Sequence, residues 1–311
     1  MRHVSVAMMA MVAVVSLFGD ASAEDITHCS VGGEAWRAGD VQTAIDNFTI
    51  CIDQGDLTPA TLSTALSSRG NILVAIGAPN HALEDLERAL ELDPTNVFAL
   101  YGRGSARFDL GDLAGALSDY TMAIDFQPDL LPLVFARANT FSALGRHTEA
   151  IADYDRVVAG QPGDPVVLTN RGWSYTLLGN YQAALADFDA ALVFDPSHTL
   201  AILNRALTLS LMGQPELGLI DADRAVSMTP DGAAAQATRA QILAVLGRSS
   251  EAVAGFETAI TLGGDELVKA YQRRLIALGY DAGLVDGDYG GRTKVALEAC
   301  VADACNLLQD P

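Results

Sequence analysis

Cationic residues are scarce in this sequence. Against 39 Asp and Glu stand 19 Lys and Arg, only two of them Lys, for a formal net charge of -20 over 311 residues. Such an acidic surface repels phosphate backbones and anionic lipid heads, which argues against nucleic-acid binding and membrane-surface adhesion. Long apolar runs are scarce too. The longest, residues 4–18, is about 15 residues where roughly 20 are needed to span a bilayer. The five histidines (His3, His28, His81, His147, His198) are scattered, and no cysteine pair has zinc-knuckle spacing. No metal and no cofactor are therefore expected. The sequence also lacks a Gly-x-Ser-x-Gly elbow, a His-Glu-x-x-His helix and a phosphate loop, and the close carboxylates Asp153 with Asp155 and Asp187 with Asp189 fall within repeats. The chain reads as non-enzymatic.

What is present begins at the N-terminus. Arg2 and His3 precede the apolar run, and Ala21-Ser22-Ala23 places small residues where a signal peptidase cuts, so residues 1–23 read as a signal peptide and Glu24 as the mature start. The expectation is export to the periplasm, with no integral membrane segment left after cleavage. His28 beside Cys29 does not match a lipoprotein cleavage site. Four cysteines remain, Cys29, Cys51, Cys300 and Cys305, and an even number in an oxidising compartment points to disulfides. Their grouping suggests Cys29 with Cys51 and Cys300 with Cys305, although three connectivities are formally open. On one continuous helix, residues five apart have Cα atoms about 8.6 Å apart, beyond the ~7 Å a disulfide tolerates. If Cys300 pairs with Cys305, the helix must break between them.

The middle of the chain keeps a 34-residue period. Arg69, Arg103, Arg137, Arg171, Arg205 and Arg239 recur at that step, each followed by Gly or Ala and, seven residues further on, by Gly. Ala or Gly then returns at 82, 116, 150, 184, 218 and 252, and Pro94, Pro128, Pro162, Pro196 and Pro230 close five of the units. Apolar residues at three- and four-residue steps, interrupted by these Gly and Pro positions, predict a helix, a turn, a second helix and a break. One such hairpin cannot bury its apolar face; stacked neighbours can.

This pattern resembles the tetratricopeptide repeat, most fully over residues 165–198 with Gly172, Tyr175, Gly179, Ala184, Phe188, Ala191 and Pro196. The resemblance implies an all-α, right-handed superhelix of about seven hairpins, six in strict register over residues 63–264 and a divergent one over residues 24–62. In the divergent hairpin, Cys29 falls near the start of one helix and Cys51 near the end of the next, where antiparallel packing brings them together.

The arginine row has two readings. Asp85, Asp119, Asp153, Asp187 and Asp221 keep the same step, with Gly255 in the sixth place, so the row is either a structural Arg–Asp ladder or a line of anion-binding groups facing a partner. Asn170 and Asn204 match in kind the Asn with which tetratricopeptide domains hold a partner's C-terminal carboxylate. Their basic companions are absent, with Thr169, Trp173, Leu203 and Leu207 standing nearby. The two Asn remain candidate groove residues.

After Gly264 the period stops. A helix ending at Gly279, a Gly- and Asp-rich loop and a second helix with Thr293 as candidate cap carry Val268, Gln272, Leu275, Gly279-Tyr280, Val285-Asp286-Gly287, Tyr289-Gly290 and Thr293 in order. Within a terminal domain spanning residues 265–311, residues 265–299 thereby resemble the small helical peptidoglycan-binding domain, and the sequence departs from that pattern at Cys300-Val301-Ala302-Asp303-Ala304-Cys305. The resemblance implies glycan or stem-peptide contacts from Tyr280 and Tyr289 by stacking, from Arg273 and Arg292 by charge, and from Asp286 and Thr293 in the loop. Structural roles for Tyr280, Asp286 and the glycines compete with that assignment.

The combined expectation is an exported adaptor that binds a protein partner along its groove and is localised by a wall-binding module. The alternative is a purely protein-interacting scaffold whose last domain is a structural cap. Acidity is concentrated in the repeats, which favours a partner of basic or mixed surface.

Overall fold

The computed structural model describes residues 26–54 and 57–308, which form fifteen helices and no strand. The signal peptide expected over residues 1–23, with the mature start at Glu24, lies outside the described residues. The chain divides into two compact units, Met1–Pro162 and Gly163–Pro311.

The first unit holds four hairpins: α1 (Thr27–Arg37) with α2 (Val41–Asp53), α3 (Pro59–Ala75) with α4 (Pro79–Leu92), α5 (Val97–Asp109) with α6 (Leu113–Phe126), and α7 (Leu131–Ala143) with α8 (His147–Gly160). The second holds α9 (Pro165–Leu177) with α10 (Tyr181–Phe194), α11 (Thr199–Leu211) with α12 (Pro215–Met228), α13 (Ala233–Val245) with α14 (Ser249–Ala277), and finally α15 (Gly291–Ala302). Each hairpin's first helix ends in the same way. A glycine at positive φ, between 71° and 84° at Gly39, Gly77, Gly111, Gly145, Gly179, Gly213 and Gly247, turns the chain back. At Gly179 its N–H reaches Thr176 O at 3.0 Å and the next N–H, of Asn180, reaches Tyr175 O at 2.9 Å, so the last carbonyls of α9 are satisfied.

Small residues set the closeness of the helix pairs. A Cβ at Gly172 would meet Phe188 Cε1 at 2.8 Å, so glycine is what lets α9 seat on the ring of α10. Phe188 and Ala184 are fully buried there, and burial of one such ring contributes about 1.5–3 kcal/mol. In the N-terminal hairpin a disulfide joins Cys29 to Cys51, with Cα atoms 5.4 Å apart, inside a cluster that includes Ala44, Phe48 and Ile72. Closing that loop stabilises by about 3 kcal/mol in the chain-entropy account.

At the other end, α14 bends at Gly264, where φ is 65° and ψ is -163°. Its first half completes the last hairpin; its second half opens the C-terminal module. The two share one core, in which Ala240, Leu243 and Phe256 belong to the hairpin and Tyr271, Leu275, Leu297, Val301 and Leu307 to the module. Phe256 meets Tyr271 edge-on at 5.7 Å.

Two local features of α15 differ from simple capping. Gly290 holds the N-cap position, and Thr293, expected to cap, sits buried in the first turn because its hydroxyl is drawn to carbonyls of the preceding loop. Helix α15 stops at Ala302, and Ala304 turns left-handed at φ 50° while Cys305 N–H bonds Cys300 O at 2.9 Å. The helix thus breaks between the two cysteines, their Cα atoms come to 5.1 Å, and the disulfide between them closes.

Candidate functional site

The arginine row is occupied from within the fold. Arg69, Arg103, Arg137, Arg171 and Arg205 each donate from Nε and Nη2 to both oxygens of the Asp sixteen residues further on, at 2.6–3.0 Å. The accepting Asp85, Asp119, Asp153, Asp187 and Asp221 are all buried. A buried carboxylate needs a hydrogen-bonded counter-charge, and the bidentate fork supplies both. Arg205 also reaches back sixteen residues to Asp189 at 2.6 Å; its hydrogen bond to Asp221 chiefly, and the one to Asp189, raise the guanidinium's pKa above its ordinary value. Arg239, with Gly255 where an Asp would stand, takes only the backward partner, Asp223, at 2.6 Å. Of the two readings of the row, the ladder is the one the geometry supports.

Next to the ladder lies a different surface. Helical spacing turns Val166, Asn170, Trp173 and Leu177 of α9 away from the Gly172–Phe188 crossing, and one repeat later Leu200, Asn204, Leu207 and Leu211 of α11 stand in the same register. Val166, Leu177, Leu200 and Leu211 are exposed, while Asn170, Trp173, Asn204 and Leu207 are half-buried. The two candidate Asn therefore share this register with aliphatic and aromatic positions.

In the C-terminal module the six candidate residues separate. Gln272, almost fully buried, donates from Nε2 to Asp286 Oδ1 at 2.9 Å and Asp288 O at 3.1 Å, and its Oε1 accepts the N–H groups of Asp286 and Gly287. Asp286 also accepts from Asp288 N–H; these bonds, that of Gln272 first, hold its carboxyl below the usual range. Thr293 Oγ1 lies 3.1 Å from Ala282 O and 3.2 Å from Asp288 O. Asp286 and Thr293 thus organise the loop. Tyr289 turns toward the last hairpin, where its hydroxyl donates to Glu257; burial and that carboxylate push its pKa up. Lys294 pairs with the same Glu257 at 3.1 Å, and Arg273 is exposed on α14.

Tyr280 and Arg292 come together. With Asp281, Gly291, Val295, Ala296 and Ala299 they line an open cleft of about 300 Å³. Tyr280 donates to Asp303 at 2.8 Å, a bond that raises its pKa and orients the ring. The Arg292 guanidinium is clasped by Asp281 at 2.8 and 2.9 Å, which lowers the aspartate's pKa and raises the arginine's. Both members are about 70% exposed, so water screens the pair and the guanidinium stays accessible from solvent. The cleft thus combines an aromatic face, an apolar floor and a solvent-accessible guanidinium. Asp281 and Val295 escaped the sequence reading; the one signal was an Asp beside Tyr280, since the pairing with Arg292 crosses the loop.

Three segments of the chain match family models. Residues 135–199 match a tetratricopeptide repeat model, residues 70–111 a second model described as TPR repeat, and residues 264–300 a putative peptidoglycan binding domain. The chain contains tetratricopeptide repeats. Its C-terminal segment resembles the peptidoglycan-binding domain, and its fold class is all-α hairpins followed by a small helical module. Among solved structures, the chain is similar to a tetratricopeptide repeat protein from Parabacteroides merdae, at 19% identity over 79% of this chain and 96% of that chain, with a TM-score of 0.64. The C-terminal part of a TPR repeat-containing protein from Cytophaga hutchinsonii gives 16% identity, 74% and 93% coverage and a TM-score of 0.54. YrrB, described as a TPR protein with an unusual peptide-binding site, gives 23% identity, 62% and 97% coverage and a TM-score of 0.52. At these identities the likeness concerns the fold alone. No curated protein matches the sequence. Tetratricopeptide arrays are typically non-enzymatic scaffolds for protein–protein interaction, and no described helix is long and apolar enough to cross a membrane.

Proposed function

We propose that the protein is an exported, non-enzymatic adaptor that receives a protein partner on the first-helix faces of its repeats and is held at the cell wall by its C-terminal module. The observation that carries the wall-binding half is the cleft between Tyr280 and Arg292, inside the segment that matches a putative peptidoglycan binding domain. Two disulfides favour an oxidising compartment, in keeping with the leader read from residues 1–23. The partner-binding half rests on the aliphatic and aromatic register of Val166, Trp173, Leu200 and Leu207, flanked by Asn170 and Asn204.

Co-sedimentation of the mature chain with peptidoglycan sacculi tests the wall-binding half. Binding that weakens several-fold in Tyr280→Ala and Arg292→Ala is expected; retention of the unmodified chain in the supernatant at low and moderate salt refutes it. For the partner, affinity purification of the tagged mature chain from its envelope extract is expected to recover a protein that Trp173→Ala loses.

A specific observation also favours a second reading, in which the module is a structural cap. It shares a core with the last hairpin and is fastened through Glu257 to Tyr289 and Lys294. Under that reading, deleting residues 265–311 lowers the melting temperature sharply while sacculi are never bound.

A further inference from the structure

Beyond α15 the chain folds back onto α13, and one side chain reads its backbone. Gln241 donates from Nε2 to Cys305 O at 2.8 Å, and its Oε1 accepts the Leu307 N–H at 2.8 Å. A carbonyl and an N–H two residues apart point to the same side of an extended strand, so a single carboxamide satisfies both as a neighbouring strand would. Between them, Asn306 O accepts from Arg274 Nε at 3.0 Å. Leu307 is buried in the cluster that holds Ala237, Leu243 and Ala244, and Gln241 itself is 5% exposed.

The position of Gln241 gives these contacts a second meaning. It stands 34 residues after Leu207 and 68 after Trp173, so it occupies in α13 the place those residues hold in α11 and α9. In the same register Ala237 replaces Leu203 and Thr169, and Ala244 replaces Ser210 and Thr176. Smaller side chains on this helix leave the room that the segment takes up. Its contacts are made to main-chain atoms and to one leucine, and neither demands that the peptide belong to this chain.

We propose that this face of α13 is a binding site for an extended peptide segment bearing an aliphatic side chain, and that residues 305–307 fill it in cis. A partner's segment then enters only when the chain's own segment leaves. The inference rests on the reading that first-helix faces receive a partner, and it adds which hairpin is guarded and by what. A short tether presents its segment at an effective concentration on the order of 1 mM, so free peptide at micromolar concentration loses the competition.

The test uses a fluorescein-labelled peptide of residues 304–311 carrying Cys305→Ser, followed by fluorescence polarisation. Leu307→Asp, which unseats the internal segment, is expected to bind the peptide about tenfold or more tightly than the unmodified mature chain, because the site is no longer pre-filled. Adding Gln241→Ala to that variant abolishes the gain. Should Leu307→Asp unfold, a chain ending at Asp303 with Cys300→Ser replaces it, with the same expectation. Equal binding to filled and emptied chains overturns the proposal, as does absence of binding to the emptied chain at about 1 mM peptide. Binding lost on Trp173→Ala but kept on Gln241→Ala removes this site while leaving the first-helix reading intact; that reading stands or falls separately on partner recovery from the envelope extract.

Discussion

Asp119 is the most exacting rung of the ladder to remove. Its carboxylate, 1% exposed, takes three charge-assisted hydrogen bonds, from Arg103 Nε at 3.0 Å, Arg103 Nη2 at 2.7 Å and Arg107 Nη1 at 2.8 Å. Asp119→Ala leaves two guanidiniums around a site without counter-charge, and removing one partner of a buried ion pair costs about 3–5 kcal/mol. Arg103 and Arg107 keep 20% and 25% of their side-chain surface in water, so they recover part of their hydration and the expected loss falls at the low end, about 3 kcal/mol. Urea unfolding of the mature chain, followed by far-UV circular dichroism, measures it. Because neighbouring hairpins unfold cooperatively but not as one body, the loss is read from the transition that shifts. The companion variant Arg103→Met with Asp119→Leu substitutes apolar groups for the ions and is expected to lose less than Asp119→Ala alone. A loss below about 1 kcal/mol for Asp119→Ala, or a companion that loses more than the single variant, refutes the account of a buried pair.

Two further outcomes follow from the backbone and from a buried phenol. Ala304 holds a left-handed φ of 50° where the equivalent turn after each repeat's first helix holds glycine, so Ala304→Gly is expected to stabilise the second unit by about 0.5–1 kcal/mol in calorimetry; a lower melting temperature contradicts this. Burial pushes the Tyr101 pKa up to about 12, against roughly 10 when unfolded, with the Ser105 hydrogen bond opposing the rise. The unfolded chain therefore loses this proton first. Tyr101's contribution to stability is intact below about pH 10 and is lost as pH rises toward 12. Tyr101→Phe should flatten part of the alkaline fall in unfolding midpoint, and an unchanged slope would count against that assignment.

The parts of the fold legible in sequence were those repeated at a fixed step. Arginine at 34-residue intervals, with Asp at +16, exposed the hairpins and the ladder together, and even its irregular end was visible in Gly255. Gly172 and Phe188 stand out in the same comparison, and the structure adds that the ring seats against the glycine. What stayed hidden depended on contacts that occur once. Gln241 meets Leu307 across 66 residues, and nothing in the local sequence around either distinguishes a backbone clamp from an ordinary polar residue on a helix. Thr293 looked like a helix cap because Thr commonly serves there, yet the Gln272 network had already fixed the loop and drew the hydroxyl inward. The cleft was half legible: Tyr280 and Arg292 carried the family resemblance, whereas Asp281 and Val295 gained meaning only when the loop folded over α15.

The geometry of the ladder has a consequence for how such a chain can change length. Arg205 finds its partners at plus and minus sixteen residues, and those offsets are unaffected when a whole 34-residue block is excised or duplicated. Removing residues 199–232, for instance, brings Arg239 to the offset from Asp189 that Arg205 now has. Length is therefore free to vary in units of one hairpin and resists any other increment. Gly255, by withholding the next carboxylate, is the full stop: no onward rung forms at Arg239, and the chain beyond is released to build something else.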